Sequence, residues 1–355
     1  MLNFFKGFYL LGGRTIKTGI SVFLTALICG FFNFPIIFAV ITAIVTIEHT
    51  AADSIKKAMI RFPASAIGAL SATGFYALFG KGALTFALAA MVTIAVCHKL
   101  KLDDGILVAT ITATAMIPDF QDDYFVSFIT RLGTTSIGIV ISTLVNFFLL
   151  PPNYSPRIYK NINQLFVHAS QLIIRIISND KGESNVKNRR ISGAYRELTV
   201  QLERTFQLVQ FQREEWKYHR HTIEQMKDFQ FAQKKLGALQ QITYHIGNLQ
   251  YVRFMPNDFS PEEKQILNEV VQSLAKVMKD PAHKIDKVHL QKVEKLDHLF
   301  WKWKELHVEH SNHNKHQLPP QTILMYELLC FHEVLEELEK ISAAHMKTVT
   351  QYYSE

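Results

Sequence analysis

Apolar residues fall into two regimes along the chain. Up to residue 150 they form long, nearly unbroken runs, and beyond Pro151-Pro152 they recur at intervals with polar residues between them. A helix needs roughly 20 apolar residues to cross the hydrocarbon core of a bilayer, somewhat fewer when buried among other helices. Six segments meet or approach that length: Thr15 to Phe32, Pro35 to Ile47, Pro63 to Phe79, Gly82 to Val96, Gly105 to Ile117 and Gly133 to Leu150. In the second half, stripes such as Ile162, Leu165, Phe166, Ala169, Leu172, Ile173, Ile176 and Leu198, Leu202, Phe206, Val209 have the period of helices with one buried face. Ser260-Pro-Glu-Glu263 reads as a capped helix start. Leu324, Leu328, Phe331, Leu335 and Leu338 form a seam that needs a partner helix. This half carries no strand signal. The expected fold is all-α: a six-helix transmembrane domain over 1–152, then a bundle of about five or six helices over 153–355.

The first half also repeats itself at an offset of 70 residues. Arg61 matches Arg131, Ile67 matches Ile137, Gly68 matches Gly138 and Thr73 matches Thr143. Upstream, Ala39, Ile41, Thr42, Ala43 and Ile47 match Ala109, Ile111, Thr112, Ala113 and Ile117. With three helices per unit, the second copy starts on the opposite side of the membrane, which predicts an inverted 3+3 repeat of the kind used by secondary transporters. The second and fifth segments are short and rich in threonine: Thr42 and Thr46 in one, Thr110, Thr112 and Thr114 in the other. Short segments at matching positions point to a binding site. Equally, their hydroxyls can bond back to the helix and serve packing.

Charge fixes an orientation. Lys6, Arg14 and Lys17 precede the first segment, Lys56, Lys57 and Arg61 follow the second, Lys99 and Lys101 follow the fourth, and Arg157 and Lys160 follow the sixth. The intervening connections hold only Lys81 and the acidic Asp119, Asp122 and Asp123. The positive-inside rule then places both termini in the cytoplasm of a multi-pass plasma-membrane protein. The net charge of +7 divides as about +3 in residues 1–150 and +4 in the rest, too even to argue for nucleic acid. The N-terminus lacks a cleavage site and its Leu2, Phe5, Tyr9 and Leu10 suit a surface helix. The three cysteines have no paired spacing, so no disulfide is expected.

Charged groups inside membrane helices are costly and usually face a protein interior or a water-filled path. Arg61 is open to two readings, a lining residue or an anchor reaching the headgroups. Arg131 sits on the acidic side, where orientation gives no reason for it. Its guanidinium could hold a carboxylate, including Asp122 or Asp123, in two-pronged fashion. The candidate path is therefore Arg61, Arg131, Thr42, Thr112, Thr110 and Thr114, with Glu48, His49 and Asp53 as candidate proton-coupling groups, or simply solvated at the interface. His307, His310, His313 and His316 recur every third residue, but that period drifts off a helix face and no metal site is expected. Trp301 and Trp303 read as packing residues. The chain has no GxGxxG, GxxxxGK[ST], HExxH or GxSxG, which argues against an enzyme and against cofactors.

The segments GRTIKTGISVFLTAL, ITAIVTIEHTAADSIKKAMIRFPASAIGA and RLGTTSIGIVISTLVNFFLLPP resemble the aromatic acid exporter and fusaric acid resistance superfamily, in its short bacterial form with six spans and a cytoplasmic helical domain. The resemblance implies efflux of aromatic or other small organic acids driven by the proton gradient, in a homodimer or higher homo-oligomer within the lipid bilayer. The alternative is a non-transporting membrane scaffold or sensor whose cytoplasmic helices bind a partner.

Overall fold

The computed structural model describes residues 13–119, 123–149, 151–178, 185–252, 259–310 and 318–352. The surface helix expected around Leu2 to Leu10 lies outside them. Among the described residues there are twelve α-helices and no strand, and the chain packs as two compact units. Unit 1 is Met1–Asn153 together with Phe211–Arg220, and unit 2 is Tyr154–Gln210 together with His221–Glu355.

Unit 1 contains α1 (Gly13–Phe31), α2 (Ile36–Thr46), α3 (Ala51–Phe79), α4 (Ala83–Lys99), α5 (Ile106–Met116) and α6 (Tyr124–Phe148). Three of them, α1, α3 and α6, are long and apolar enough to cross a membrane. By contrast, α2 and α5 have 11 residues each. At 1.5 Å per residue they reach about 16 Å, roughly half of a 30 Å hydrocarbon core. Proline sets one limit of each: Pro35 opens α2 and Pro118 lies in the 3-10 turn that ends α5.

Two helix starts differ from the sequence reading. Thr50 caps α3, its hydroxyl accepting the Asp53 N–H at 3.1 Å, so α3 begins at Ala51 and runs through Pro63. Lys56, Lys57 and Arg61 therefore ride on a helix rather than in a connection. Asp123 caps α6, accepting the N–H groups of Phe125 and Val126, so Arg131 sits about two turns inside that helix. In both cases a short polar cap outweighed the apolar onset as the signal for where the helix begins.

The halves of unit 1 exchange partners. The short α2 packs on α6, and the short α5 packs on α3, while α3 and α6 pack on each other. Gly68 of α3 lies against the Ala109 carbonyl, leaving no room for a Cβ. Gly138 of α6 lies against Ala39 in the same way, a Cβ there falling 2.5 Å from the Ala39 oxygen. The 70-residue offset turns one contact into the other, so a single close crossing is used twice. Small residues at such crossings let backbones approach, which drives helix association where lipid removes the hydrophobic incentive.

Unit 1 is built for lipid. Its interior clusters are Ala69, Ala72, Ala89 and Ala113, and Ala64, Cys97 and Ala109, all fully buried. Large apolar side chains point outward, with Phe31 80%, Leu78 74% and Phe125 71% exposed. That much outward apolar surface marks a face that water does not bathe.

Unit 2 reverses this. Its helices are α7 (Ser155–Ser178), α8 (Asn185–Glu215, whose last residues belong to unit 1), α9 (Ile223–Tyr251), α10 (Pro261–Lys279), α11 (Lys287–His310) and α12 (Pro320–Tyr352). The stripe on α7 and the seam Leu324, Leu328, Phe331, Leu335 and Leu338 on α12 are buried. The seam's partner is α9, and α7 packs on α10 and α9. Ser260 and Glu263 form the expected capping box at the start of α10.

Candidate functional site

Polar side chains form a column inside unit 1. At one end Arg61, 7% exposed, donates from its NH2 to Glu48 Oε1 at 2.6 Å, from Nε to the Asp104 carbonyl at 3.3 Å and from NH1 to the Thr46 carbonyl at 3.4 Å. It thus ties the last carbonyls of α2 to the turn that starts α5. A cation at the C-terminus of α2 also complements that helix's dipole. Lys57 donates to the other Glu48 oxygen at 3.1 Å. Burial would raise the Glu48 carboxyl, but hydrogen bonds and charge from Arg61 and Lys57 outweigh it and hold the group below its ordinary value.

One turn further along α3, buried Ser65 hydrogen-bonds Thr112 of α5 at 3.2 Å and Thr135 of α6 at 3.4 Å. Thr112 in turn accepts from Arg131 at 3.5 Å. The Arg131 guanidinium is 5% exposed and lies 3.8 Å from the centre of the Phe38 ring, a cation–π stack. Arg61 and Ser65 are one turn apart on α3, and hydrogen bonds across α3, α5 and α6 link Ser65 to Thr112 and Thr112 to Arg131.

The repeat is broken where the chemistry differs. By the 70-residue offset, the position matching Glu48 is Pro118 and the position matching Phe38 is Val108. One arginine received a carboxylate and the other an aromatic face. The first pairing fixes the helix ends; the second presents a planar cation against a ring.

The other expected site residues divide clearly. Thr42, Thr110 and Thr114 bond back to the carbonyls of Phe38, Ile106 and Thr110, so their hydroxyls serve their own helices. Thr112 joins Arg131. His49 is exposed and stacks on Phe211 at 4.9 Å, away from Arg61. Asp53 is half-buried, its N–H held by Thr50. Asp123 serves as the cap of α6, while Asp122, His313 and His316 and the side chains of His307 and His310 lie outside the described residues.

A second buried cluster escaped the sequence reading. Lys17 of α1, 5% exposed, donates to Asn146 Oδ1 at 2.8 Å, and Asn146 Nδ2 donates to Ser54 Oγ at 2.7 Å and to the Thr50 carbonyl at 3.0 Å. Glu215, 1% exposed, accepts the Ala51 N–H at 3.0 Å, and its other oxygen lies 2.9 Å from His219 Nδ1. His219 Nε2 is 3.0 Å from the Phe147 carbonyl. A lysine and an asparagine inside apolar segments were the available signal; nothing local marks Glu215, the last residue of α8 and part of unit 1, 164 positions beyond Ala51.

Comparison with known proteins follows the same division. Residues 9–149 match the family model described as Aromatic acid exporter family member 1. Over nearly its whole length the chain is similar to UPF0421 proteins. One from Bacillus cereus is 45% identical, covering 96% of each chain. One from Bacillus thuringiensis is 45% identical with the same coverage. One from Halalkalibacterium halodurans is 36% identical over 94% of this chain and 90% of the relative. Neither the family model nor these names describe an enzyme. With small residues inside, apolar residues outside and this match over both units, the chain belongs to the UPF0421 family, and its first 149 residues carry the aromatic acid exporter family region.

Proposed function

We propose that the protein is a secondary transporter that exports aromatic or other small organic acids across the plasma membrane through the polar column of unit 1. The observation that carries this reading is Arg131, a buried guanidinium stacked 3.8 Å over Phe38 and next to Thr112. That arrangement offers an aromatic carboxylate both a charge partner and a ring face. The name of the matched family supports the substrate class.

In this reading α1 to α6 make six membrane segments as an inverted 3+3 repeat, with α2 and α5 as half-length helices whose ends meet the path. The exchanged Gly68–Ala109 and Gly138–Ala39 contacts support it. Glu48, Lys57 and Arg61 mark the cytoplasmic side, both termini are cytoplasmic, and unit 2 is a cytoplasmic bundle. The active form is a homodimer or higher homo-oligomer, powered by an ion gradient.

The test is accumulation of a labelled aromatic acid panel in cells lacking or overproducing the protein, with the proton gradient imposed or collapsed. Overproducing cells should accumulate less acid while the gradient stands. Arg131→Lys and Arg131→Gln should abolish the difference, because an ammonium cannot reproduce a planar stacked cation. Unchanged efflux in these variants, at wild-type abundance, would remove Arg131 from the path.

The second reading, a scaffold or sensor, is favoured by the separate compactness of unit 2. No accumulation difference across the whole panel would select it. Deleting residues 155–355 is a poor discriminator, because Phe211–Arg220 belongs to unit 1 and would be lost with the bundle.

A further inference from the structure

Helices α9 and α12 of unit 2 run antiparallel. His245 pairs with Glu327, and Asp228 with His345, so contact positions sum to nearly the same number along both helices. At the His245 end the seam is closed: Glu327 is buried and takes hydrogen bonds from His245 at 2.6 Å and Asn248 at 2.9 Å. Near the other end, residues of both helices line a cleft of about 420 Å³. Small-molecule sites occupy roughly 300–1,000 Å³.

The cleft's lining divides by chemistry. Lys227 and Lys234 from α9 and Lys340 from α12 are the basic residues of its lining. Asp228, which borders it, is 3.3 Å from His345 Nε2. No ion pair among the described residues engages Lys234 or Lys340. Between these cations lies a wall of Phe231, Ile341 and Ala344. Phe231 stacks face to face on His345, with centroids 4.1 Å apart and planes 6° from parallel. Asp228 holds the imidazole from one side, and the buried Lys235 ammonium lies 5.5 Å from the Phe231 ring. The aromatic wall is therefore set in place before anything binds, which lowers the ordering cost of binding.

We propose that this cleft is a binding site for a small aromatic carboxylate, whose anionic group meets Lys234 and Lys340 and whose ring lies on the Phe231–His345 wall. The basic rim sets the charge of the ligand, and the flat apolar wall sets its shape. A small inorganic anion would leave the wall unused, and a neutral aromatic would leave Lys234 and Lys340 without an anionic group of the ligand to meet. The site is separate from Arg131 in sequence and in unit. If the export reading holds, the same class of molecule is cargo for unit 1, so the cleft would report its level; that sensing role rests on the export reading, whereas the binding does not.

The test uses the full-length protein in detergent micelles and equilibrium dialysis with radiolabelled 1-naphthoate. Measuring in an Arg131→Gln background removes the proposed transport site. Saturable binding should persist there. Lys234→Gln with Lys340→Gln should weaken it about tenfold or more, as expected for loss of charge-assisted contacts. Lys234→Arg with Lys340→Arg keeps the charge and should keep the binding, which separates ligand recognition from a folding defect. Benzoate should compete, and inorganic phosphate should not at equal concentration. The proposal is overturned if the Arg131→Gln protein binds no naphthoate saturably or if the two glutamine substitutions leave affinity unchanged. It is also overturned if phosphate or a short-chain phosphatidylglycerol displaces naphthoate better than benzoate does. Loss of efflux in Arg131→Gln with naphthoate binding intact supports both sites, and intact efflux with intact binding would remove only the transport reading.

Discussion

Units 1 and 2 are both helical, yet they differ in what fills the interior and in the polar groups packed there. Unit 1 puts alanine and glycine inside and phenylalanine and leucine outside, and it buries the basic side chains Lys17, Arg61 and Arg131. Arg61 is matched by Glu48, and Lys17 is held by Asn146. Unit 2 puts leucine, isoleucine and phenylalanine inside and buries histidines. Ser273 Oγ, His289 and His332 form a chain with contacts of 2.8 and 3.1 Å, and His332 Nε2 lies 3.3 Å from Glu336. Burial, with His332 nearby, lowers His289 to about 4, and burial, with Lys235 nearby, lowers His283 to about 4. The lesson is that unit 1, apolar on its outside, ties buried cations to helix ends and amides, whereas unit 2, beside its buried Lys235 and Glu327, packs histidines that burial keeps neutral.

The largest expected effect breaks unit 1. Glu48→Gln leaves Arg61 buried beside a neutral amide and should cost about 3–5 kcal/mol. The double change Arg61→Met with Glu48→Leu should recover most of that loss, because an apolar pair of similar volume removes both desolvation costs. Thermal unfolding of the detergent-solubilised protein measures both, and equal damage in single and double variants would show that the ion pair is not the relevant contact.

Acid should then separate the units. His283, His289 and His332 are depressed in the folded state, so the unfolded chain takes up protons first. For His283 and His289 the stabilising contribution is complete above about pH 6.5 and is lost as pH falls toward 4. Between pH 7.5 and 5 the loss is on the order of 2 kcal/mol for His289 alone. Glu48 is depressed too, but as a carboxylate its contribution is complete above its ordinary value of 4.5 and is lost only as pH falls below that. Between pH 7.5 and 5, unit 2 should weaken and unit 1 should not. After Trp216→Phe, the fluorescence of Trp301 and Trp303 reports unit 2 alone, and a pH-independent midpoint would contradict the histidine account.

Gly68→Ala and Gly138→Ala sharpen the repeat. Each places a methyl against a carbonyl of the facing short helix, and each should cost about 1–3 kcal/mol by forcing that crossing apart. Similar losses are expected from the two, since the crossings are equivalent; a large inequality in the melting shifts would show that the halves are not packed alike. The smallest effect belongs to unit 2: Ser260→Ala removes one half of the α10 capping box and should cost about 1 kcal/mol in the same melts.

Much of this was legible along the chain, and particular residues show how. The matched Gly68 and Gly138 could be found because a repeat preserves spacing, and the α12 seam because buried positions recur every three or four residues. The resemblance to the aromatic acid exporters holds for residues 9–149. The onsets of α3 and α6 were less legible, because lysine and aspartate near an apolar run look like a connection until a cap shows that the helix has already begun. The threonines of α2 and α5 were indistinguishable by type; Thr112 bonds with Arg131, while the hydroxyls of Thr42, Thr110 and Thr114 donate to carbonyls of their own helices.

By itself the sequence determined the helical class, the lipid-facing composition of the first half, the 70-residue repeat and the capped start of α10. These are local properties, written in side-chain period and in the residue types that end helices. The tertiary structure alone decided which arginine met a carboxylate and which met a ring, that Lys17 and Asn146 share one cluster, and that Phe211–Arg220 packs in unit 1. Those outcomes depend on which distant backbones come together, and a buried charge takes its partner from whatever that packing places within reach.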